Sequence, residues 1–326
     1  MQLSYAQRLE DYHLDLVFAD CSTGFYIDVG GGHPIADNVS FWFYLKGWRG
    51  LVVEPQAKLA DLYAHIRPRD ITACTLVGSR EGDVAFHVVD RLHGFSTTVE
   101  SNAKTAESMG AGYETRHLSM RRLQSLTAQH NITHVDFLKI DVEGAEADVL
   151  AGADWTTCRP RVVVLEAVAP GTMAEAWRDW EPFLIAQGYA FAFFDGLNRF
   201  YVASECAELA ARFPAEPAPW DCVQHLWDFG RAPERPDHPD HALEQALVQG
   251  FLAALPSLDH KLLAGMLQTQ QPATADLQRL LFGTAEYPGP PSASPETDIA
   301  RLMQSDRVLA ALGRIASAYD GGHLME

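Results

Sequence analysis

Three consecutive glycines, Gly30, Gly31 and Gly32, follow the apolar run of residues 25–29 and precede His33 and Pro34. Glycine after a short strand lets the backbone turn with positive φ and lets a ligand lie against the main chain. A second apolar run, residues 50–54, ends in Glu54 and is followed by Pro55. In a doubly wound sheet the ends of the first two strands sit beside one crevice. A carboxylate there accepts hydrogen bonds from both hydroxyls of a ribose, so the loop and Glu54 together read as a nucleoside site. Further carboxylates close later apolar runs: Asp141 and Glu143 near residues 135–141, Glu166 in 161–167 and Asp195 in 189–195. Ligands of open α/β sheets bind outside the carboxyl ends of the strands, which places these four at the same crevice. Each has a structural alternative. Glu143 or Glu146 can complement a helix dipole, and Asp195 with Asn198 and Arg199 can serve a hairpin turn. Lys139, inside its run, can form a structural ion pair as readily as a functional one.

Two nucleoside patterns compete at the loop. A dinucleotide fingerprint needs Gly-x-Gly-x-x-Gly, and Ile35 stands at the third glycine position counted from Gly30. An acidic residue followed by Gly-x-Gly-x-Gly, the methyltransferase pattern, is met by Asp28, Gly30 and Gly32, with Pro34 at the last position. Proline there can open the next helix, where its missing amide proton costs nothing.

The elements that must position these groups alternate along residues 25–204. Strands are expected at 25–29, 50–54, 71–77, 83–89, 135–141, 161–167, 189–195 and 199–204, and helices at 4–19, 37–47, 56–66, 119–130, 144–151 and 173–187. Several strands are apolar throughout, as in parallel sheets covered on both faces. The pattern predicts a doubly wound α/β fold with a mostly parallel seven-stranded sheet. The last two strands are joined only by residues 196–198, which predicts a hairpin and one antiparallel strand. Beyond residue 209 the texture changes to proline-rich spacers and helical patterns at 241–255, 257–269, 273–283 and 297–318. The division expected is 1–209 for the sheet domain and 210–326 for an all-helical region that packs on it or serves oligomerisation. The aromatic stretch 40–48 reads as core packing.

The 326 residues carry a net charge of −18 and are 47% hydrophobic, enough for a substantial core. So acidic a surface repels phosphate backbones, which disfavours nucleic acid and anionic membrane as partners. Five single cysteines form neither a disulfide framework nor a zinc set. With a charged N-terminal stretch and no long apolar run, a cytoplasmic protein is expected. His238 and His241, in a proline-rich stretch, read as exposed linker rather than metal ligands.

Residues 25–55, "VGSREGDVAFHVV" (77–89), "GFSTT" (94–98) and "VDFLKIDVEGAEADVLAG" (135–152) strongly resemble the FkbM family of S-adenosylmethionine-dependent methyltransferases. The resemblance extends over residues 4–204 and leaves out 210–326. It implies a class I, Rossmann-like methyltransferase fold and methyl transfer to oxygen on sugars or natural products. On the matching positions, Asp28, Gly30, Gly31 and Gly32 would face the methionine side of the cofactor. Glu54 would bind its ribose, Pro55 would turn the chain away, and Gly78, Ser79 and Ser96 would lie near the adenine. Methyl transfer from a sulfonium needs alignment above all, and a hydroxyl acceptor must also lose its proton. Asp141 would therefore border the transferred methyl, with Glu143, Glu166 and His33 as further catalytic candidates. The carboxylates could also bind Mg²⁺, although no ligand set is defined. "QRLED" (7–11) is similar to the family's upstream motif with Leu9 in place of a glycine; Gln7, Asp11 and His13 could cover the site. Two other readings remain: a nicotinamide-dependent oxidoreductase, and a catalytically weak scaffold in a glycan-assembly complex.

Overall fold

The structure is a computed structural model that describes residues 3–90, 95–169, 174–226, 232–268 and, within 301–315, all but 307, 311 and 314. The chain divides into two compact units, Met1–Leu226 and Trp227–Glu326. The first unit begins with β1 (Leu3–Ser4) and α1 (Glu10–Val17), followed by β2 (Phe25–Val29), α2 (Phe41–Leu45), β3 (Arg49–Val53), α3 (Ala57–Ile66) and β4 (Ile71–Ala73). Next come β5 (Leu76–Val77), β6 (Gly82–Val89), α4 (Glu100–Ser108), β7 (Tyr113–Arg121) and α5 (Leu123–Gln129). The unit closes with β8 (Phe137–Ile140), α6 (Glu146–Ala151), β9 (Val162–Glu166), α7 (Glu181–Ala186), β10 (Tyr189–Phe194), β11 (Asn198–Ala203) and β12 (Gln224–His225).

Seven of these strands make one sheet in the order β10-β11-β9-β8-β2-β3-β4. The pairs from β9 to β4 are all parallel, and β11 alone runs antiparallel to both of its neighbours. The mostly parallel α/β sheet and its antiparallel hairpin strand are as expected. Both faces are buried. Ile27, Val29, Leu138, Ile140, Val163 and Leu165 pack with Leu123, Leu126, Leu150 and Leu184 on one side. Tyr26, Phe137, Val164 and Phe200 pack with Leu14, Val17, Phe43 and Trp48 on the other. This second face carries α1.

Several sequence expectations are corrected. The run 71–77 is two strands: β4 stays on the edge of the large sheet, and β5 joins a separate three-stranded sheet in the order β5-β7-β6. Thr75, between them, donates from Oγ1 to the Ser119 carbonyl at 2.7 Å and so turns the chain toward β7. The strand expected at 83–89 belongs to that second sheet, paired antiparallel with β7. β7 itself was not foreseen, since most of its side chains are exposed and polar; it takes the first part of the helix expected at 119–130. The helix expected over 4–19 spans only Glu10–Val17, entered through Leu9 in the left-handed region at φ 65°. Gln7 therefore lies before the helix that carries Asp11. The helix expected over 37–47 covers only Phe41–Leu45. Phe43 and Trp48 are fully buried, which bears out the core reading of the aromatic stretch.

In the second unit, α8 (His241–Ala254) and α9 (His260–Gln268) are helices. Leu255, Leu263, Ala264, Leu302, Met303 and Val308 form its core. The region from 210 is not wholly helical, because β12 pairs with β1 as a short parallel ladder. The helical patterns at 273–283 and much of 297–318 lie outside the described residues. His238 is buried rather than exposed. Among the described residues no helix is long and apolar enough to cross a membrane.

Candidate functional site

The glycine loop is held against its neighbours by the backbone. Gly30 and Gly31 both donate to the Val53 carbonyl, at 3.0 and 3.2 Å. Gly30 has φ 76°, and a Cβ there would stand 1.8 Å from the Asp141 carbonyl oxygen. Replacing Gly30 with alanine combines a strained φ with a clash against main chain that cannot step aside. We expect Gly30→Ala to lose at least about 1–3 kcal/mol of unfolding free energy, read as a lowered urea midpoint. Gly32 differs: φ is 57°, and none of the described residues lies within 4 Å of its Cβ position. Its open side is where a ligand can approach the main chain.

Glu54, just beyond β3, closes this side of the crevice. Its Oε2 accepts the Gly32 amide at 2.9 Å and its Oε1 the Gln56 amide at 2.8 Å. A carboxylate offers about four lone-pair directions, so further acceptor capacity remains for a ligand diol. Burial pushes the Glu54 pKa up to about 7, against the opposing pull of the two amides and Lys139. Pro55 follows at intermediate burial. His33 is exposed, and its Nδ1 accepts the amides of Ile35 and Ala36 at 3.2 and 3.0 Å. Burial of part of its ring lowers its pKa. The Nδ1 bonds make His33 a turn cap and leave only Nε2 for chemistry.

The remaining carboxylates converge at the ends of β8 and β9. One oxygen each of Asp141, Glu143 and Glu166 lie within 4.8 Å of one another, an arrangement that could hold a metal ion. The sheet explains the meeting. Ile140 is in register with Leu165, and Glu166 with Asn198, so the residues that follow β8 and end β9 sit side by side. Lys139 lies one step below. Its Nζ is 3.2 Å from Asp141 Oδ2, 3.7 Å from Asp28 Oδ1 and donates to the Gly30 carbonyl at 3.0 Å. Burial pushes the Glu143 pKa up to about 9, helped by Asp141 and Glu146. Burial likewise pushes Glu166 up to about 10, with Asp141, Glu143 and Glu146 adding to it. Glu166 Oε2 is buried with no hydrogen-bond partner among the described residues. Burial and the shared negative charge thus disfavour the ionised form of both glutamates.

Glu143 is aimed by its backbone. It has φ 58°, and its carbonyl accepts from Thr97 Oγ1 at 2.9 Å and Asn102 Nδ2 at 2.7 Å. A non-glycine residue in this region is uncommon and is kept there by its surroundings. Glu146 caps the same turn, with Oε1 accepting the amides of Val142 and Gly144; the helix-terminus alternative describes Glu146 well. Thr97 and Asn102 were not foreseen. Thr97 lies within "GFSTT" (94–98), whereas Asn102 had no signal at all.

Other candidates are placed differently. Asp28 is fully buried, and its Oδ2 accepts from Ser40 Oγ at 2.5 Å. Gly78 packs so closely that a Cβ would meet Asp148 Oδ2 at 2.2 Å, and Ser79 beside it is half-buried. Ser96 Oγ accepts the Val89 amide at 3.1 Å, which ties its hydroxyl to β6. Asp195 accepts the amides of Leu197 and Asn198, a hairpin-turn role. Asn198 also donates to Glu10 Oε1 at 2.7 Å, which brings the start of α1 to this edge. His13 is core rather than site: it is buried against Phe193, and burial lowers its pKa to about 4. Asp11 is buried too, bonded to Ser4 and Tyr5.

A seven-stranded, mostly parallel sheet with a glycine loop after β2 and an acidic residue after β3 has the architecture of a methyltransferase fold. Residues 28–191 match the family model described as the Methyltransferase FkbM domain. The match spans half of the chain, and the chain belongs to the FkbM methyltransferase family. It begins at Asp28 and includes the glycine loop, Glu54 and the Asp141–Glu143–Glu166 group; α1 and β11 lie outside it. No curated protein matches the chain.

Proposed function

We propose that this protein is an S-adenosylmethionine-dependent O-methyltransferase whose acceptor is a sugar hydroxyl in a glycan or glycosylated natural product. The observation that carries the reading is the convergence of Asp141, Glu143 and Glu166 at the edge where Gly30 packs against Asp141. The chain fits the cofactor at two points: the open side of Gly32 and the remaining acceptor capacity of Glu54. When bound, S-adenosylmethionine supplies an activated methyl group on a sulfonium. The glycine loop and Glu54 would hold it, with Gly78 and Ser79 near the base. Glu143 and Glu166, whose pKa values burial raises, would donate hydrogen bonds to acceptor oxygens when protonated. Asp141, beside Lys139, is then the group placed to take the acceptor's proton.

A divalent cation held by the same three carboxylates is the second reading, favoured by their approach within 4.8 Å. Such an ion would lower the pKa of a bound hydroxyl. Calorimetric titration with S-adenosylmethionine, S-adenosylhomocysteine and NAD⁺ tests the cofactor. Binding of the first two alone is expected, and binding of NAD⁺ alone would return the oxidoreductase to the front. A sugar-acceptor screen with EDTA or with Mg²⁺ then separates the two readings of the carboxylates. Cofactor binding without turnover on any acceptor would favour the scaffold.

A further inference from the structure

The glycine loop stands on a buried polar network whose centre comes from another part of the chain. Arg67, just after α3, is fully buried. Its Nε donates to Asp70 Oδ2 at 2.8 Å. Nη1 donates to Asn38 Oδ1 at 2.9 Å and to the Pro34 carbonyl at 3.3 Å. Nη2 donates to Ser40 Oγ at 2.8 Å and to Tyr26 OH at 2.9 Å. The planar fork of donors is thus directed at several fixed acceptors at once, which an ammonium could not match.

Two of these acceptors, Asn38 and Ser40, pass the constraint on toward the loop, and the guanidinium also lies 4.9 Å from the centre of the Tyr63 ring. Asn38 Nδ2 donates to the Gly31 carbonyl at 2.9 Å, and Tyr63 OH donates to the same oxygen at 2.8 Å. Ser40 Oγ donates to Asp28 Oδ2. The other oxygen of Asp28 faces Lys139, which donates to the Gly30 carbonyl. The carbonyls of Gly30 and Gly31 are both drawn inward, while the open side of Gly32 is left to the crevice.

We infer that Arg67 is a positioning residue that sets the glycine loop in its ligand-ready form through Asn38, Tyr63 and Ser40. The ligand concerned rests on the cofactor reading above. Pre-organisation of this kind raises affinity by removing the cost of ordering the loop at binding. A purely structural role would lower stability and leave affinity at low temperature unchanged.

The test uses the full chain at 15 °C, with S-adenosylhomocysteine binding measured by calorimetry and amide exchange followed at residues 30–33. Arg67→Lys keeps the charge and loses the fork; Asn38→Ala and Tyr63→Phe are milder variants should the first fail to fold. Arg159→Ala, which removes a pairing with Glu205, controls for general loss of stability. The expected result is affinity weakened roughly tenfold in Arg67→Lys, with smaller losses in the milder variants. Faster exchange at the loop amides should accompany it, and neither change should appear in the control. Wild-type affinity and wild-type loop protection in folded Arg67→Lys, Asn38→Ala and Tyr63→Phe would overturn the inference. Absence of cofactor binding by the wild type would sink the cofactor reading alone, and loop exchange would then decide the role of Arg67.

Discussion

Replacing Lys139 with methionine is expected to lower the unfolding free energy by about 3–5 kcal/mol. The side chain is buried in the middle of the sheet, between Asp28 and Asp141. Asp28 Oδ1 has no hydrogen-bond partner among the described residues, so the ammonium at 3.7 Å is its compensation. Methionine fills similar volume but leaves a buried carboxylate and the Gly30 carbonyl facing apolar surroundings. Burial lowers the Lys139 pKa, but Asp141 and Asp28 more than offset this, and the net direction is upward. A lysine whose folded pKa lies above its unfolded value near ~10.4 contributes fully below that pH. The loss should therefore be complete at pH 7.5, and the contribution in the wild type should fade only in strong alkali. Urea unfolding of Lys139→Met at pH 7.5 should show a lower midpoint with an unchanged slope. An unchanged midpoint would mean that the ammonium contributes nothing net. Methyl transfer should fall too, because Asp141 loses its partner at the crevice.

The residues that make the sheet were readable because β2, β3, β8 and β9 are largely apolar and carry conspicuous carboxylates at or just beyond their ends. That geometry also made the meeting of Asp141, Glu143 and Glu166 foreseeable, since adjacent parallel strands bring their ends to one edge. Elsewhere the physics leaves little trace in residue type. β7 is polar and mostly exposed, being covered on neither face by a large core. The split at Cys74–Thr75 depends on a single hydroxyl reaching Ser119. Thr97 and Asn102 act on Glu143 through its carbonyl, a contact common to every residue type. Nothing in "RPRD" (67–70) marks Arg67 as buried, and only the fold shows it beneath the loop. Leu9 at φ 65° stands where glycine would be expected from the family motif, and its burial accounts for the tolerance of an otherwise costly backbone.

The ligand-free protein should lose thermal stability as pH rises from 5 to 9, and Glu166→Gln should flatten that dependence. An unfolded glutamate titrates near ~4.3, whereas burial and neighbouring carboxylates push Glu166 up to about 10 and Glu143 up to about 9. Between these values the folded state keeps a proton that the unfolded state has lost. Stability therefore falls with rising pH throughout that window. Glu10, raised to about 8 by burial and Asp195, and Glu54, raised to about 7 by burial, add to the same slope. Glutamine copies the shape of the neutral acid and cannot ionise, so the variant should match the wild type near pH 5 and exceed it near pH 9. For a unit of this size each kcal/mol corresponds to about 2–4 °C in melting temperature, well within the reach of a pH series of melting curves. Equal slopes for the two proteins would show that Glu166 is ionised in the folded state. Catalysis should separate the roles further: Asp141→Asn, which removes the base, should reduce turnover by about 10²–10⁴-fold. Glu166→Gln, which preserves a donor to the acceptor, should cost far less. If the trio instead holds a divalent cation, Glu166→Gln should cost as much as Asp141→Asn, because each removes one anionic ligand.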